Sequence, residues 1–236
     1  MLHVHSSRMP GAIAAIAIAA AVAGCGSGGT AAKTTKASQD AQAGPAYTAA
    51  QLRGALLTSV NGARPAAPVE SGDYGSLPGV KASRQSLSGV KISPAKCATA
   101  TATGLTSAKF NRVPATVATF RDGADGVSEV LLAPPASMLT AALVHKIPAG
   151  CYHYFARVGG RSYSYQIKAE PAPRIGDAAS ELNVRASGDA SANIWTVLYR
   201  ARGMVGAVTV VGQDASRAGA EALAKMAYAH AQKSLV

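Results

Sequence analysis

Few side chains in this chain have the types and spacing that catalysis demands. Ser93-Pro-Ala-Lys96 has the S-x-x-K form, in which a lysine sits beside a serine nucleophile. The S-D-N and K-T-G elements that accompany it in penicillin-binding enzymes are missing. A helix cap at Ser93, with Pro94 at the first helical position, accounts for the same four residues. Neither G-x-S-x-G nor H-E-x-x-H occurs. His145, His153 and His230 fall on a predicted helix end, a strand and the last helix, with no shared zinc-ligand spacing. Asp122 and Asp125 lie in a glycine turn and offer too few oxygens for calcium. No catalytic residue, metal ligand or cofactor is therefore expected.

The three cysteines carry more information. Met1 to Pro10 holds one Arg and no acid, and Gly11 to Ala23 is an unbroken apolar run of 13 residues. A permanent span needs about 20 apolar residues, so this run suits the hydrophobic region of a secretory signal. It ends in Val22-Ala23-Gly24-Cys25, which resembles the bacterial lipobox. That resemblance implies that Cys25 receives a diacylglyceryl group, with palmitate-type acyl chains, and becomes the first residue after cleavage. Residues 26–46 are small, polar and without apolar periodicity, a flexible linker with a typical reach of about 25 Å. The expected organisation is a signal peptide over 1–24, a lipid-anchored Cys and linker over 25–46, and one domain over 47–236. A G-x-G-x-x-G match at Gly24, Gly26 and Gly29 follows a cleavage site rather than a strand and carries no dinucleotide. Once Cys25 is assigned to lipid, Cys97 and Cys151 remain as an even pair in an oxidising compartment, the expected disulfide.

Export also changes the meaning of the charge. The chain has 23 Lys and Arg against 12 Asp and Glu, a formal charge of +11, and removing 1–24 lowers it to +10. Outside the cell this excess meets anionic headgroups and wall polymers and not nucleic acid. Lys33 and Lys36, just beyond the anchor, are placed for the first of these. With 236 residues and 48% hydrophobic content the chain is neither collagen-like, disulfide-dense nor wholly disordered.

The elements that would position any site begin at Tyr47. Thr48 and Gln51 have capping-box spacing, Tyr47 and Leu52 staple spacing, and a helix is predicted to about Leu57 or Val60. Residues 63–93 read as irregular or as short strands, for example Gly89 to Ile92. A short helix follows at Ser93-Pro94. Strands are expected over 115–120, 127–132, 151–158, 161–169, 181–187, 194–201 and 204–211, most of them hairpin-linked. Helices are expected from Pro134 to about His145 and from a cap at Asp214 to Leu235. Consecutive hairpins with flanking helices predict an α+β fold, an antiparallel sheet with a long C-terminal helix.

One hairpin brings aromatics together. With Gly159-Gly160 as a two-residue loop, Tyr154 faces Tyr165, Tyr152 faces Ile167 and Ala156 faces Tyr163, all on one side. The other side pairs His153 with Gln166, Phe155 with Ser164 and Arg157 with Ser162. The strip of Tyr152, Tyr154, Tyr163 and Tyr165 is either a sheet face packed under a helix or the wall of a cleft for a sugar, a peptide or an apolar envelope molecule.

The lipobox, the linker and Tyr-Thr-Ala-Ala-Gln-Leu at 47–52 resemble actinobacterial envelope lipoproteins. So do Ser93-Pro-Ala-Lys-Cys97, Ile147-Pro-Ala-Gly-Cys151, Ile175-Gly-Asp177 and the Ala-rich terminal helix, in a layout similar to a PknH-type extracellular sensor-like domain. The resemblance implies a non-enzymatic α+β domain on the extracytoplasmic face of the cell membrane, held there by lipid and binding an envelope ligand or protein. The alternative is an envelope hydrolase or transferase whose site is assembled only by the fold. Mass spectrometry of the mature protein is expected to find an acylated Cys25 at the N-terminus, and a free, unacylated terminus would refute the anchor.

Overall fold

The computed structural model describes residues 46–235 apart from 102, 124 and 189. The signal-peptide, Cys25 and linker assignments thus lie outside the described residues, save for Ala46. In chain order the elements are α1 (Ala49–Gly54), β1 (Glu70–Asp73), α2 (Pro78–Ser88), β2 (Lys91–Ser93), β3 (Pro114–Asp122), β4 (Asp125–Leu132), α3 (Leu139–Ala142), β5 (His153–Val158), β6 (Arg161–Glu170), β7 (Ala178–Ser187), β8 (Ala192–Ala201), β9 (Met204–Gly212) and α4 (Arg217–Ser234). The nine strands form one antiparallel sheet in the order β1-β3-β4-β9-β8-β7-β6-β5-β2, an α+β fold with a long C-terminal helix.

Turn chemistry sets the register. Gly159 and Gly160 take φ of 55° and 83°, the left-handed angles of a two-residue hairpin loop, and Tyr154 stands opposite Tyr165 as expected. Arg202 and Gly203 turn the β8–β9 hairpin the same way, with φ of 44° and 78°. Thr48 and Gln51 form the capping box in full.

Four expectations need correction. The first helix stops at Gly54 because the Leu57 N–H is taken by the Glu129 carboxylate (2.9 Å) instead of a helical carbonyl. Ser93 caps no helix: it is the last residue of β2, and Pro94 leads into a 3-10 turn over Ala95–Thr99. The helix expected to reach His145 shrinks to Leu139–Ala142 after a 3-10 turn, and His145 pairs with Thr103 as an extended bridge. The last helix is capped by Ser216, whose Oγ accepts the Gly219 N–H, two residues after Asp214.

The two faces of the sheet are covered unequally. On one face α1 and α4 pack over β3, β4, β9 and β8, burying Leu52, Phe120, Leu131, Trp195, Val197, Tyr199, Val208, Leu223 and Ala227. Tyr199 lies across Gly206, its register partner, where a side chain would collide with the phenol ring. On the other face α2, α3 and 3-10 turns cover Ala115, Leu132, Leu198 and Val205 with Tyr74, Leu77 and Phe110. Farther along that second face the segment around Cys97 covers Tyr154, Tyr165, Ile167, Leu182 and Val184. The first face of β5 and β6 has no such cover: His153, Phe155, Arg157, Gln166 and Lys168 are exposed on it.

Cys97 and Cys151 form the expected disulfide, with Cα atoms 5.3 Å apart and 54 residues of separation. A loop of that length constrains the unfolded chain by about 4 kcal/mol in the entropy model. Alkylation is expected to label neither Cys before reduction, and reduction to lower stability by about 2–4 kcal/mol in urea titrations. Labelling of both without reductant would contradict the bridge.

Glu129 is the second lever on stability. It is 1% exposed; one oxygen accepts the Leu57 N–H, and the other, Oε1, has no hydrogen-bond partner among the described residues. Burial pushes its carboxyl up to about 7, against 4.5 for the free group, and the Leu57 bond only partly opposes this. The folded state therefore holds a proton that the unfolded chain releases, so this contribution is full below pH 4.5 and is lost as pH rises through 7. Glu129→Gln keeps an acceptor for Leu57. Its stability advantage over the wild type is expected to be near zero at low pH, to grow through this window, and to level off at roughly 3 kcal/mol. An advantage that does not change with pH would show that folding leaves the Glu129 carboxyl at its free pKa.

Candidate functional site

The tyrosine strip divides. Tyr154 and Tyr165 stack with ring centroids 5.0 Å apart and planes 4° from parallel, and are 4% and 5% exposed. The Tyr154 hydroxyl bonds Thr101, and burial raises its pKa. These two rings are core beneath the disulfide-linked segment. Tyr163 is half-buried beside them, while Tyr152, just before β5, is 52% exposed. A continuous four-ring wall facing solvent is not formed.

The opposite side of the same hairpin is the open one. Reading across the register, His153 faces Gln166, Gln166 faces Arg185, and Arg185 faces Asn193. A parallel row runs from Ser93 through Phe155 and Ser164 to Ser187. Where these rows approach the loop before α4, a shallow groove of about 350 Å³ is lined by His153, Ser164, Gln166, Arg185, Asn193 and Gln213, among others. Asn193 is fixed by donating from Nδ2 to the Gln213 carbonyl (2.9 Å). The groove thus presents an imidazole, a guanidinium, amides and hydroxyls on rigid strands. Its β5–β6 half was visible in the sequence as the polar side of the hairpin. Arg185 and Asn193 were not singled out, because only the register of β7 and β8 brings them alongside.

The remaining candidates resolve individually. Ser93 lies in β2 and Lys96 in the turn beyond it, so the helical spacing that S-x-x-K chemistry requires is absent. Asp122 accepts from the Asn61 amide (2.6 Å), and Asp125 has its pKa raised by burial and by Asp214 and Asp122. Among the described residues no three His, Cys, Asp or Glu groups are placed to hold a metal. His230 lies on α4 with Nε2 buried and without a hydrogen-bond partner among the described residues.

One serine and one histidine do meet. His145 Nε2 lies 3.1 Å from Ser180 Oγ, and burial lowers the imidazole pKa to about 4. A working base needs Nδ1–H oriented by an acceptor, but His145 Nδ1 is buried with none among the described residues. An orphaned buried N–H is costlier than an orphaned lone pair, which favours the tautomer whose Nε2–H donates to Ser180. In that tautomer the imidazole cannot accept the serine proton. Glu129, whose carboxyl is raised to about 7 by burial, is enclosed in the core beneath α1 and α4, away from the groove.

No family model and no curated protein matches the sequence. Two solved structures show a distant likeness. The extracellular domain of PknH from Mycobacterium tuberculosis aligns with a TM-score of 0.39 at 12% identity, over 61% of this chain and 78% of that one. The Rv0999 ortholog from Mycobacterium smegmatis, an uncharacterised protein, aligns at 0.37 and 12%, over 61% of this chain and 77% of its own.

Proposed function

We propose that the chain is a non-catalytic binding domain, lipid-anchored through Cys25 on the outer face of a bacterial cell membrane, that engages an envelope ligand or partner with the open face of β5, β6 and β7. The observation that carries this proposal is the polar groove on an otherwise uncovered sheet face, with hydrogen-bonding groups projecting from strands that cannot rearrange. The lipobox and linker support the anchor, and the Cys97–Cys151 bridge fits the oxidising compartment beyond the membrane. The hydrolase alternative rests on Ser180 and His145, which lack an orienting acceptor among the described residues.

Native mass spectrometry of the protein extracted from its own membrane tests the binding role. A retained mass beyond the acyl group is expected, and Ser187→Trp, which fills the groove from an exposed position, is expected to abolish it. No retained mass in either protein, or equal retention in both, would count against the groove.

A further inference from the structure

Among the described residues the open face of β2, β5 and β6 is mainly cationic, with Glu170 at its far end. Lys91 of β2 stands directly opposite Arg157 of β5, two cations in register, and both are exposed. Like charges so placed destabilise a strand pair. A lysine on an edge strand is explained by protection against edge pairing, but Arg157 lies one strand inside the edge. Farther along the same face are Arg185 and Lys168. Among the described residues neither Arg157 nor Arg185 has an ion-pair partner. Glu170, the acid at the end of this face, is held by Lys168 at 2.8 Å and approached by Arg217 at 3.9 Å. Asp125 and Asp214 lie beyond Gln213, toward β4 and β9, so the acidic groups bound the groove on its α4 side.

Between the cations sits Phe155, 64% exposed, flanked in register by Ser93 and Ser164. An exposed ring between hydroxyls and amides matches the face of a sugar, whose C–H groups stack on the ring while its hydroxyls bond Ser164, Gln166 and Asn193. Guanidinium groups add paired donors for carboxylate or phosphate. From Arg157 to Arg185 the register spans two strand spacings and four residues, roughly 16 Å, which is several sugar units in extended form.

The point where the described chain begins lies far from this groove. Ala46, where the described chain begins, packs against Gly203 in the β8–β9 turn. Asn193 lies at the other end of β8, nine residues away, or about 30 Å. The described chain thus begins at the end of β8 opposite the groove, which leaves the groove clear of that entry point.

We infer that the open face of β2, β5, β6 and β7 binds an extended acidic glycan, with Arg157, Arg185 and Lys91 on its acid groups and Phe155 stacked on a sugar ring. The inference rests on the binding role proposed above and adds the chemical class of the ligand.

The test titrates full-length protein in detergent with a galacturonic acid hexamer, an uncharged cellohexaose, and phosphatidylcholine vesicles with added phosphatidylglycerol. The acidic hexamer is expected to bind, more weakly as salt rises. Arg157→Gln with Arg185→Gln is expected to weaken it by about tenfold or more, with the thermal midpoint not lowered, because both side chains are exposed and Lys91 loses a like-charged neighbour. Arg53→Gln, an exposed cation on α1, is expected to leave binding unaltered, and Phe155→Ser to weaken the acidic hexamer with all cations intact. Equal binding of cellohexaose, unaffected by the arginine changes, would overturn the acidic ligand while keeping the face as a binding site. Vesicle binding that needs the arginines, without hexamer binding, would overturn it in favour of the bilayer. Failure of every probe, with a retained mass indifferent to Ser187→Trp, would overturn this inference and the binding role together.

Discussion

The whole arrangement follows from a mismatch between the width of the sheet and the width of its helical cover. Nine strands at about 4.8 Å spacing make a sheet nearly 40 Å wide. A helix with its side chains is about 10–12 Å across and shields little more than two strands. On the face beneath α4 there are two helices, one of 18 residues and one of 6, and they reach β3, β4, β9 and β8. The strands beyond must satisfy water directly. Their alternation does this: Tyr154, Ala156, Tyr165 and Ile167 turn toward the cysteine-bearing segment, and His153, Phe155, Arg157 and Gln166 turn out. The open face is thus a geometric consequence of the sheet being wider than its cover, and its side chains decide what that face is for.

The cover itself is held by buried and half-buried charge as well as by apolar contact. Glu129 reaches from the middle of β4 to the backbone just after α1, and ends that helix by taking its next donor. At the start of α4, Arg217 bridges the fully buried Glu181 of β7 (2.9 Å) and Glu221 one turn on (2.9 Å), and donates to the Pro171 carbonyl (2.7 Å). A charge taken out of water is tolerated only while its partner remains, so Arg217 fixes where α4 begins. That position sets the border of the groove, because Gln213 lies in the turn immediately before α4 and its carbonyl holds Asn193 of β8. On the far side no long helix is present, and the disulfide ties a 3-10 turn to the residues leading into β5.

What the sequence disclosed, and what it withheld, follows the range of the interactions concerned. Hairpins around Gly159-Gly160 and Arg202-Gly203 are local, and their four strands, like β3, β4 and β7, are readable with near-correct bounds. The capping box at Thr48 is equally local. β1 and α2 are hidden in a stretch rich in Pro, Gly and Ser, where the short strand expected at Gly89 to Ile92 overlaps β2 with shifted bounds, because short edge strands are set by the neighbour they pair with and not by their own pattern. Pairing across the hairpin was legible, but not which of its faces is covered. That depends on residues near Cys97, which lie more than fifty positions from Tyr154 in sequence. The same limit applies to the groove, two of whose polar groups come from β7 and β8.

Solubility alone does not account for the composition of the open face. Both sheet edges are already blunted: β1 has four residues, β2 has three, and Pro94 follows at once. A solvated face needs charge, but mixed signs serve as well and avoid the repulsion of Lys91 against Arg157. Lysine would also serve, yet two of the three interior cations of the face, Arg157 and Arg185, are arginines, whose planar donors are suited to bidentate pairing with an oxyanion. An aromatic ring 64% exposed works against solubility. Arginine and an exposed phenyl ring on rigid, uncovered strands therefore have a common explanation in a ligand that is both acidic and flat-faced, and none in hydration.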